Sequence, residues 1–341
     1  MDSFIIYTQG DIDTLVNERL GEEKLGAHVL IYHSLNCPEG EITTQALIDS
    51  PAQFVLLGIP EDIGVRANLG LAGAKTAWNS ALKALLNTQS NQFLKGDEIL
   101  VLGHFEIEEP TGADLQSLRN KVTKIDSLVY PIIQKIVTAG KIPIVIGGGH
   151  NNAAPIIAGA AMGSGNQKMN VVNIDAHADL RDPAEGRHSG NGFSTALSSG
   201  YLNQYKIFGL HQNYVNQNLP AYIAANPNIK TFYFENLLQS AKSVVENWDD
   251  FTDDLSTPRG LEIDLDSIEN VLSSAQTPSG FELNAIRNIL LSNRKKYSYL
   301  HICEGAAEMA DGRTAITTGK TIVYLVGDFI KALRLHTSPQ P

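Results

Sequence analysis

Three short segments of this chain combine carboxylate and imidazole side chains in patterns that suit metal binding. Each directly follows a short apolar run rich in Val, Ile or Leu. The three segments are GGGH at 147–150, DAHAD at 175–179 and DLD at 264–266. Because side chains at i, i+2 and i+4 of a β-strand point to one face, Asp175, His177 and Asp179 can converge where a strand ends. The same spacing lets Asp264 and Asp266 converge.

The donor types indicate which metals such a site would take. Carboxylate oxygens mixed with imidazole nitrogens suit manganese, iron, nickel or zinc, whereas calcium takes oxygen ligands only. Carboxylates that can bridge favour a pair of ions roughly 3.5–4 Å apart. One Asp-x-His-x-Asp motif alone is equally compatible with a surface turn of solvated charges. Three clusters at the ends of apolar runs together predict a two-metal hydrolytic site.

The composition excludes several classes of protein. The chain has 341 residues, 43% of them hydrophobic, and carries 37 acidic and 26 basic side chains for a formal charge of −11. No run of Lys and Arg could follow a phosphate backbone, so nucleic acid and anionic membranes are not expected partners. Cys37 and Cys303 show no Cys-x-x-Cys spacing, which favours buried thiols in a reducing cytosol. No signal peptide or membrane-spanning segment is recognisable, and we expect a cytoplasmic protein.

Short apolar runs alternate with longer helix-like stretches from about residue 53 onward. Eight runs predict strands, at about 53–58, 98–103, 142–147, 170–175, 205–210, 231–234, 260–265 and 297–303. The helix-like stretches are AKTAWNSALKALL, the segment 114–137 with Pro131 as a kink or break, ENLLQSAKSVVENW, FELNAIRNILLSN and TGKTIVYLVGDFIKALRL. This alternation predicts an α/β protein with three α/β/α layers and a mostly parallel sheet of about eight strands.

The predicted sheet also indicates where the metal-binding side chains meet. In open α/β sheets, ligands bind beyond the carboxyl ends of the strands, and every cluster named above lies at such an end. Residues 1–50 are less regular. We expect them to form an N-terminal extension packed on a main catalytic domain, 51–341.

The clusters resemble the motifs of the ureohydrolases, the family of arginase, agmatinase and formimidoylglutamase. The resemblance runs from about residue 53 to 335. Its motifs are GVRANLGLAGA (64–74), GGGHNN (147–152), NIDAHADLR (173–181) and EIDLDSI (262–268). The resemblance implies the arginase-like fold and hydrolysis at an sp² carbon that bears nitrogen substituents.

The resemblance also implies residue roles. One ion would be held by His150, Asp175, Asp179 and Asp264, and the other by Asp175, His177, Asp264 and Asp266. The ions would be two Mn²⁺, with Ni²⁺ or another divalent transition metal as the alternative. Asp179 would orient the attacking water and accept its proton, and Glu304 would face the departing nitrogen. Glu308 is the rival for that second role, although a helix N-terminal acid is the preferred interpretation of Glu308.

One position departs from arginase and agmatinase. In those members, which this chain otherwise resembles, a proton-shuttling histidine lies four residues beyond the serine of a Ser-Gly-Asn segment. Here the segment begins at Ser189, so the shuttle position is Phe193. A phenylalanine there, together with Gly-Gly-Gly-His, is similar to formimidoylglutamase. His188 could replace the shuttle, but a structural or substrate-contacting role is preferred.

Several polar residues are candidates for substrate binding. Arg66 could pair with a substrate carboxylate in two-pronged fashion, with a surface salt bridge as the competing interpretation. Asn68, His188, Ser189 and Asn191 could supply further contacts.

The leading interpretation is a metal-dependent hydrolase of linear amidines, converting N-formimidoyl-L-glutamate and water to L-glutamate and formamide. Arginine, agmatine, a guanidino acid or guanidine is the alternative substrate, with urea as a product. A third possibility is a catalytically silent metal-binding regulatory protein, suggested by the missing shuttle histidine. The family resemblance further implies a homo-oligomer.

Overall fold

A ten-stranded β-sheet forms the centre of the computed structural model, which describes residues 2–32 and 40–334. The strands are β1 (Ser3–Ile6), β2 (Leu30–Ile31), β3 (Phe54–Gly58), β4 (Ile99–Glu106), β5 (Ile142–Ile146), β6 (Met169–Ile174), β7 (Leu202–Leu210), β8 (Ile229–Tyr233), β9 (Arg259–Asp264) and β10 (Tyr299–Cys303). All eight predicted strands are present as β3 to β10. Their order across the sheet is β4-β3-β5-β10-β9-β6-β7-β8, and every pairing among them is parallel.

Twelve α-helices accompany the sheet in the described part of the chain. They are α1 (Gln9–Asp13), α2 (Thr44–Asp49), α3 (Ile63–Ala67), α4 (Ala77–Leu86), α5 (Leu115–Thr138), α6 (Ala153–Gly163), α7 (Gly192–Ser198), α8 (Leu219–Ala225), α9 (Phe234–Gln239), α10 (Val244–Thr252), α11 (Leu283–Ser292) and α12 (Thr318–Arg334). In the described ranges, none of these helices is long and apolar enough to cross a membrane.

Alternate strand residues enter two separate hydrophobic cores, one on each face of the sheet. Phe54 and Leu56 of β3 pack in the core that contains α4, α11 and α12, whereas Val55 and Leu57 pack in the core that contains α5 and α6. Because successive side chains of a strand point to opposite faces, a sheet covered on both faces is apolar along its whole length. The predicted α/β/α layering is confirmed.

The first 32 residues add two strands that the sequence pattern did not predict. β1 pairs antiparallel with β4, with Ser3 opposite Glu106 and Ile6 opposite Gly103. β2 pairs parallel with β4 through Leu30 and Ile31. Two short strands without an alternating pattern give no local periodicity to detect, and the sheet is therefore larger than the eight strands expected.

Two helix predictions need correction. The predicted break at Pro131 is wrong, because α5 runs uninterrupted from Leu115 to Thr138 with Val129 and Ile133 fully buried in the core. The alternative of a kink at Pro131 stays a prediction. The stretch ENLLQSAKSVVENW is not one helix, because α9 ends at Gln239 and α10 starts at Val244. Ser243 is the N-cap of α10 and forms a capping box, in which its hydroxyl accepts the Glu246 N–H and the Glu246 carboxylate accepts the Ser243 N–H.

Candidate metal centre

Four neighbouring strands bring the predicted ligands together. Along the order β5-β10-β9-β6, the GGGH turn follows β5, Glu304 follows β10, Asp264 ends β9 and Asp175 follows β6. The strand register aligns these ends, since Cys303 lies opposite Asp264. Segments more than 150 residues apart in the chain therefore meet at one edge of the sheet.

The first group of ligand-type side chains surrounds the imidazole of His150. Its Nδ1 lies 2.9 Å from Asp179 Oδ2, 3.1 Å from Asp264 Oδ2 and 3.3 Å from Asp175 Oδ2. The ligand atoms of all four residues lie within 4.8 Å of one another. His150 is fully buried, and Asp179 is partly exposed. This is the set that the sequence assigned to one ion.

The second group contains Asp175, His177 and Asp266. His177 Nδ1 lies 3.3 Å from Asp266 Oδ2 and 3.7 Å from Asp175 Oδ1. Asp175 thus belongs to both groups, as its predicted bridging role requires. Asp264 belongs to the first group only, and its Oδ1 accepts the backbone N–H of Asp266 at 2.8 Å. Its predicted bridging between two ions stays a prediction.

The electrostatics of the two groups suit divalent cations. Burial raises the pKa of Asp264, and the nearby charges of Asp266 and Asp175 raise it further. Burial lowers the pKa of His177, but Asp266 and Asp175 more than offset this and raise it far above its usual range. Like charges held this close together disfavour ionisation, and a cation relieves that repulsion. Two clusters of carboxylate and imidazole donors that share Asp175 fit a pair of transition-metal ions.

Asp179 and Glu304 have unusual backbone conformations. Their φ angles are +50° and +62°, in the left-handed region that side-chain-bearing residues seldom adopt. Glu304 Oε1 accepts the backbone N–H of His150 at 2.7 Å, and burial, with the charge of Asp266, raises the pKa of Glu304 to about 8. The rival Glu308 is exposed in a loop ahead of α12, so the helix N-terminal interpretation of Glu308 is wrong.

Glu61 positions the turn before His150, and sequence reasoning missed it. Its carboxylate is buried and accepts the backbone N–H groups of Ile63, Gly64 and Gly149 at 2.7, 3.1 and 3.1 Å. It also accepts from the side-chain amides of Asn151 and Asn152, at 3.1 and 2.6 Å.

Gly148, in the same turn, has φ +77°, and a Cβ there would lie 2.2 Å from Asn152 Nδ2. The glycines therefore permit a close backbone approach.

A cavity of about 1000 Å³ opens onto the metal-ligand residues. Glu304 lines this cavity together with four residues of the two ligand groups, His177, Asp179, Asp264 and Asp266. Of the predicted substrate-binding residues, Asn68 and Ser189 also line it, and Asn68 Nδ2 donates to Ser189 Oγ at 3.4 Å. A small polar molecule inside this cavity would face both the ligand groups and Glu304.

Arg66 does not line this cavity. Its guanidinium donates to Glu109 Oε2 at 2.5 Å, and its Nε lies 3.1 Å from Asp62 Oδ1. The geometry therefore favours the salt-bridge interpretation, which the sequence had left open. The carboxylates of Asp62 and Glu109 already pair with this guanidinium, which was predicted to bind the substrate carboxylate.

His188 and Asn191 also lie behind the cavity wall. His188 is fully buried, its Nδ1 accepts the Gly190 N–H, and burial lowers its pKa to about 4. Asn191 Oδ1 accepts from Arg187 at 2.7 Å, and Arg187 also donates to Asp126 and to the backbone oxygen of Asn151. These contacts support a structural role for His188 and Asn191, and neither residue lines the cavity.

Arg181 and Tyr214 line the cavity and were not among the predicted site residues. Arg181 is half exposed, and its Nη1 donates to Asn68 Oδ1 at 3.0 Å. Its position two residues after Asp179 in NIDAHADLR was the available signal. The Tyr214 ring stacks on His177 with ring centroids 4.7 Å apart; no motif in the sequence marks that residue.

Phe193, at the position of the absent shuttle histidine, is fully buried and does not line the cavity. Its ring packs edge-on against His150, with centroids 5.0 Å apart, and stacks on Tyr205. An apolar ring cannot transfer a proton, so this residue supports the His150 imidazole by packing.

Sequence comparison agrees with the site. A family model described as "Arginase family" matches residues 52–327. A formimidoylglutamase from Hahella chejuensis is 30% identical over 172 residues, which are 48% of this chain and 49% of that protein. One from Salmonella arizonae is 35% identical over 136 residues, 39% of each chain. The chain thus matches about half or less of the length of these curated relatives.

Solved structures share the fold. A formimidoylglutamase from Bacillus subtilis superimposes with a TM-score of 0.73 at 14% identity, covering 95% of each chain. Formiminoglutamase from Trypanosoma cruzi with Mn2+2 superimposes with a TM-score of 0.66 at 19% identity, covering 86% of this chain and 98% of that one. At these identities the likeness establishes the arginase-like fold.

Proposed function

This chain belongs to the arginase family, and we propose that it is a binuclear-metal hydrolase that cleaves a C–N bond of a linear amidine. The proposed substrate is N-formimidoyl-L-glutamate, and the products are L-glutamate and formamide. The main support is the convergence of two ligand groups, sharing Asp175, beside one cavity that Glu304 also lines. The matched relatives named above are formimidoylglutamases.

We assign two Mn²⁺ to this site, with Ni²⁺ or another divalent transition metal as the alternative. The first group, His150, Asp175, Asp179 and Asp264, would hold one ion, and Asp175, His177 and Asp266 would hold the other, with Asp264 as a further bridge. When bound, two such ions lower the pKa of a shared water and make a nucleophile available at neutral pH. The Trypanosoma cruzi formiminoglutamase that shares this fold was solved with Mn2+2.

The chain's own residues then have separate roles. Asp179, at the cavity edge of the first group, orients the attacking water and accepts its proton. Glu304 faces the nitrogen that departs, where its carboxylate stabilises the positive charge that develops on that nitrogen. Arg181 lines the cavity, and although its Nε lies 3.5 Å from Glu185 Oε2, its guanidinium can pair with the carboxylate of an amino-acid substrate.

Initial rates on a panel of substrates test the proposal. Manganese-loaded protein is compared on N-formimidoyl-L-glutamate, arginine, agmatine, guanidinobutyrate and guanidine. Formamide from the first compound alone is the expected result. Urea from a guanidine would overturn the amidine assignment while keeping the hydrolase. Protein that binds metal but turns over none of the five would favour the catalytically silent alternative.

Replacing Arg181 with methionine tests the proposed carboxylate contact. We expect KM for N-formimidoyl-L-glutamate to rise by about 10- to 100-fold with a small change in kcat, since a charge-assisted hydrogen bond contributes about 1.5–3 kcal/mol. Arg66→Met is the matched control, because the Arg66 guanidinium pairs with Asp62 and Glu109 outside the cavity. A large KM effect in Arg66→Met and none in Arg181→Met would restore the original assignment.

We further propose a cytoplasmic homo-oligomer in which residues 1–50 pack as an extension on the catalytic domain, 51–341. The family resemblance supports assembly, and the pairing of β1 and β2 with β4 supports the packed extension. Light scattering on the purified chain measures the assembly directly, and a monomeric mass would contradict it.

A further inference from the structure

A buried carboxylate, Glu262, lies behind the His150 imidazole, on the side away from the metal-ligand oxygens. Glu262 is on β9, two residues before Asp264, so both side chains point to the same face of the sheet. Glu262 is fully buried. Burying a carboxylate costs free energy unless charged or hydrogen-bonding partners compensate, and the groups around Glu262 indicate what it does.

Two of those partners come from β10, the neighbouring strand. His301 lies directly opposite Glu262 in the register, and its Nδ1 is 2.6 Å from Glu262 Oε2. Tyr299 donates its hydroxyl to Glu262 Oε1 at 2.8 Å. Neither residue was predicted to belong to the site, yet both are fully buried.

Gly260 makes room for this arrangement. It lies opposite Tyr299, and a Cβ at this position would lie 2.4–2.5 Å from the end of the Tyr299 ring. Only a residue without a side chain lets the ring cross β9 and reach Glu262. The contacts with Tyr299 and His301 hold one carboxylate rotamer in place.

The third neighbour of Glu262 is His150. Glu262 Oε2 lies 3.5 Å from His150 Nε2, which is buried and has no hydrogen-bond partner within the described residues. The other ring nitrogen, Nδ1, faces Asp175, Asp179 and Asp264. A histidine can offer a lone pair at Nδ1 only if any ring proton is on Nε2.

We propose that Glu262 is a positioning residue that accepts a hydrogen bond from the Nε2–H of His150 and thereby keeps the Nδ1 lone pair available to a metal ion. A carboxylate behind a ligating histidine fixes the tautomer and ring orientation and makes the imidazole a stronger ligand. Tyr299 and His301 in turn hold Glu262. The inference rests on the metal site of the proposed function, but concerns affinity for the ion rather than turnover.

Manganese binding to the chelator-treated 341-residue chain, measured by calorimetry, tests the role of Glu262. Glu262→Gln keeps the size of the side chain and removes its charge, and we expect it to weaken binding of one ion by about 10- to 100-fold. The matched variant Tyr299→Phe removes one hydrogen bond to Glu262 and keeps the carboxylate. It should stay within about threefold of the wild-type affinity for both ions.

Two results would overturn the role of Glu262: wild-type affinity in Glu262→Gln, or equal weakening in both variants, which would indicate a merely structural network. Nitrogen-15 spectra of the zinc-loaded wild-type protein add a measurement that needs no variant, since His150 Nε2 must be protonated. An unprotonated Nε2 would contradict the inference. The proposed hydrolase is tested separately, by the number of ions that the wild type binds and by its turnover. If the wild type binds two ions and Glu262→Gln binds them with unchanged affinity, the role of Glu262 is wrong and the proposed hydrolase is not affected.

Discussion

Replacing Asp264 with alanine is expected to abolish both tight manganese binding and turnover. Asp264 Oδ2 lies 3.1 Å from His150 Nδ1 within the first ligand group, and the residue ends β9 between the ends of β10 and β6. Without it, the first group loses one of its three carboxylates. Metal content by elemental analysis after desalting, together with the hydrolysis rate at saturating substrate, measures the effect. We expect activity to fall by at least about 10³-fold.

Asp311→Ala is the control for Asp264→Ala, because Asp311 pairs with Arg313 at a largely exposed position outside the cavity. It should keep wild-type metal content and rate. Full activity in metal-free Asp264→Ala protein would refute the binuclear mechanism.

Thermal unfolding separates loss of the metal from loss of the fold in Asp264→Ala. The folded-state pKa of Asp264 is raised by burial and by Asp266 and Asp175. A raised carboxyl pKa means that the folded state binds more protons than the unfolded state, so this group lowers stability as the pH rises above the unfolded value. At neutral pH the loss of this charge favours the metal-stripped variant, whereas the loss of the hydrogen bond from the Asp266 N–H opposes it, so the metal-stripped variant and wild type should unfold at similar temperatures. Added Mn²⁺ should raise the midpoint of the wild type far more than that of the variant. A metal-stripped variant that unfolds well below the stripped wild type would contradict this account.

Glu304→Gln is expected to lower kcat by about 10²- to 10³-fold while leaving metal content unchanged. Glu304 lines the cavity beside the ligand groups but belongs to neither of them. Glutamine can still accept the His150 N–H through its side-chain oxygen, so the local structure should persist. What disappears is the carboxylate, whose ionised form stabilises the departing nitrogen and whose pKa of about 8 the bound cations would lower. Rates with and without saturating Mn²⁺, and bound metal per chain, are the measurements.

Glu308→Gln is the matched control for Glu304→Gln, since Glu308 is exposed and does not line the cavity. It should keep kcat within about twofold, as expected of a surface change remote from the reacting groups. If the two effects were reversed, Glu308 would be the catalytic carboxylate. If Glu304→Gln also lost its metal, its contact with the His150 backbone would be the more important role.

Local periodicity was sufficient to predict much of this molecule. Side chains alternate along a strand, so Asp175, His177 and Asp179 could be placed together at a strand end from their spacing alone. The apolar runs located eight of the ten strands, β3 to β10, because strands buried on both faces are continuously apolar. The ligand groups around His150 and His177 contain every residue that the sequence had named for metal binding.

Pairings between distant segments could not be predicted in this way. Glu61 and Gly149 are 88 residues apart, and Glu262 and His301 are 39 apart, so no local pattern shows that they meet. The sequence predicted Arg66 and not Arg181 for substrate binding; both lie within motif segments, and local spacing does not show which of the two reaches the cavity. Only the packed structure shows Arg66 held by Glu109 and Arg181 lining the cavity.

Residue types and their spacing were thus enough to predict which ligand-type side chains converge and the layers of the fold. The tertiary structure decided the order of the strands, the two added strands at β4, and the partners of each buried carboxylate. The physical reason is the distance along the chain over which each kind of interaction acts. Backbone geometry acts over a few residues and leaves a periodic trace in the sequence, whereas contacts across strands depend on which segments pack side by side.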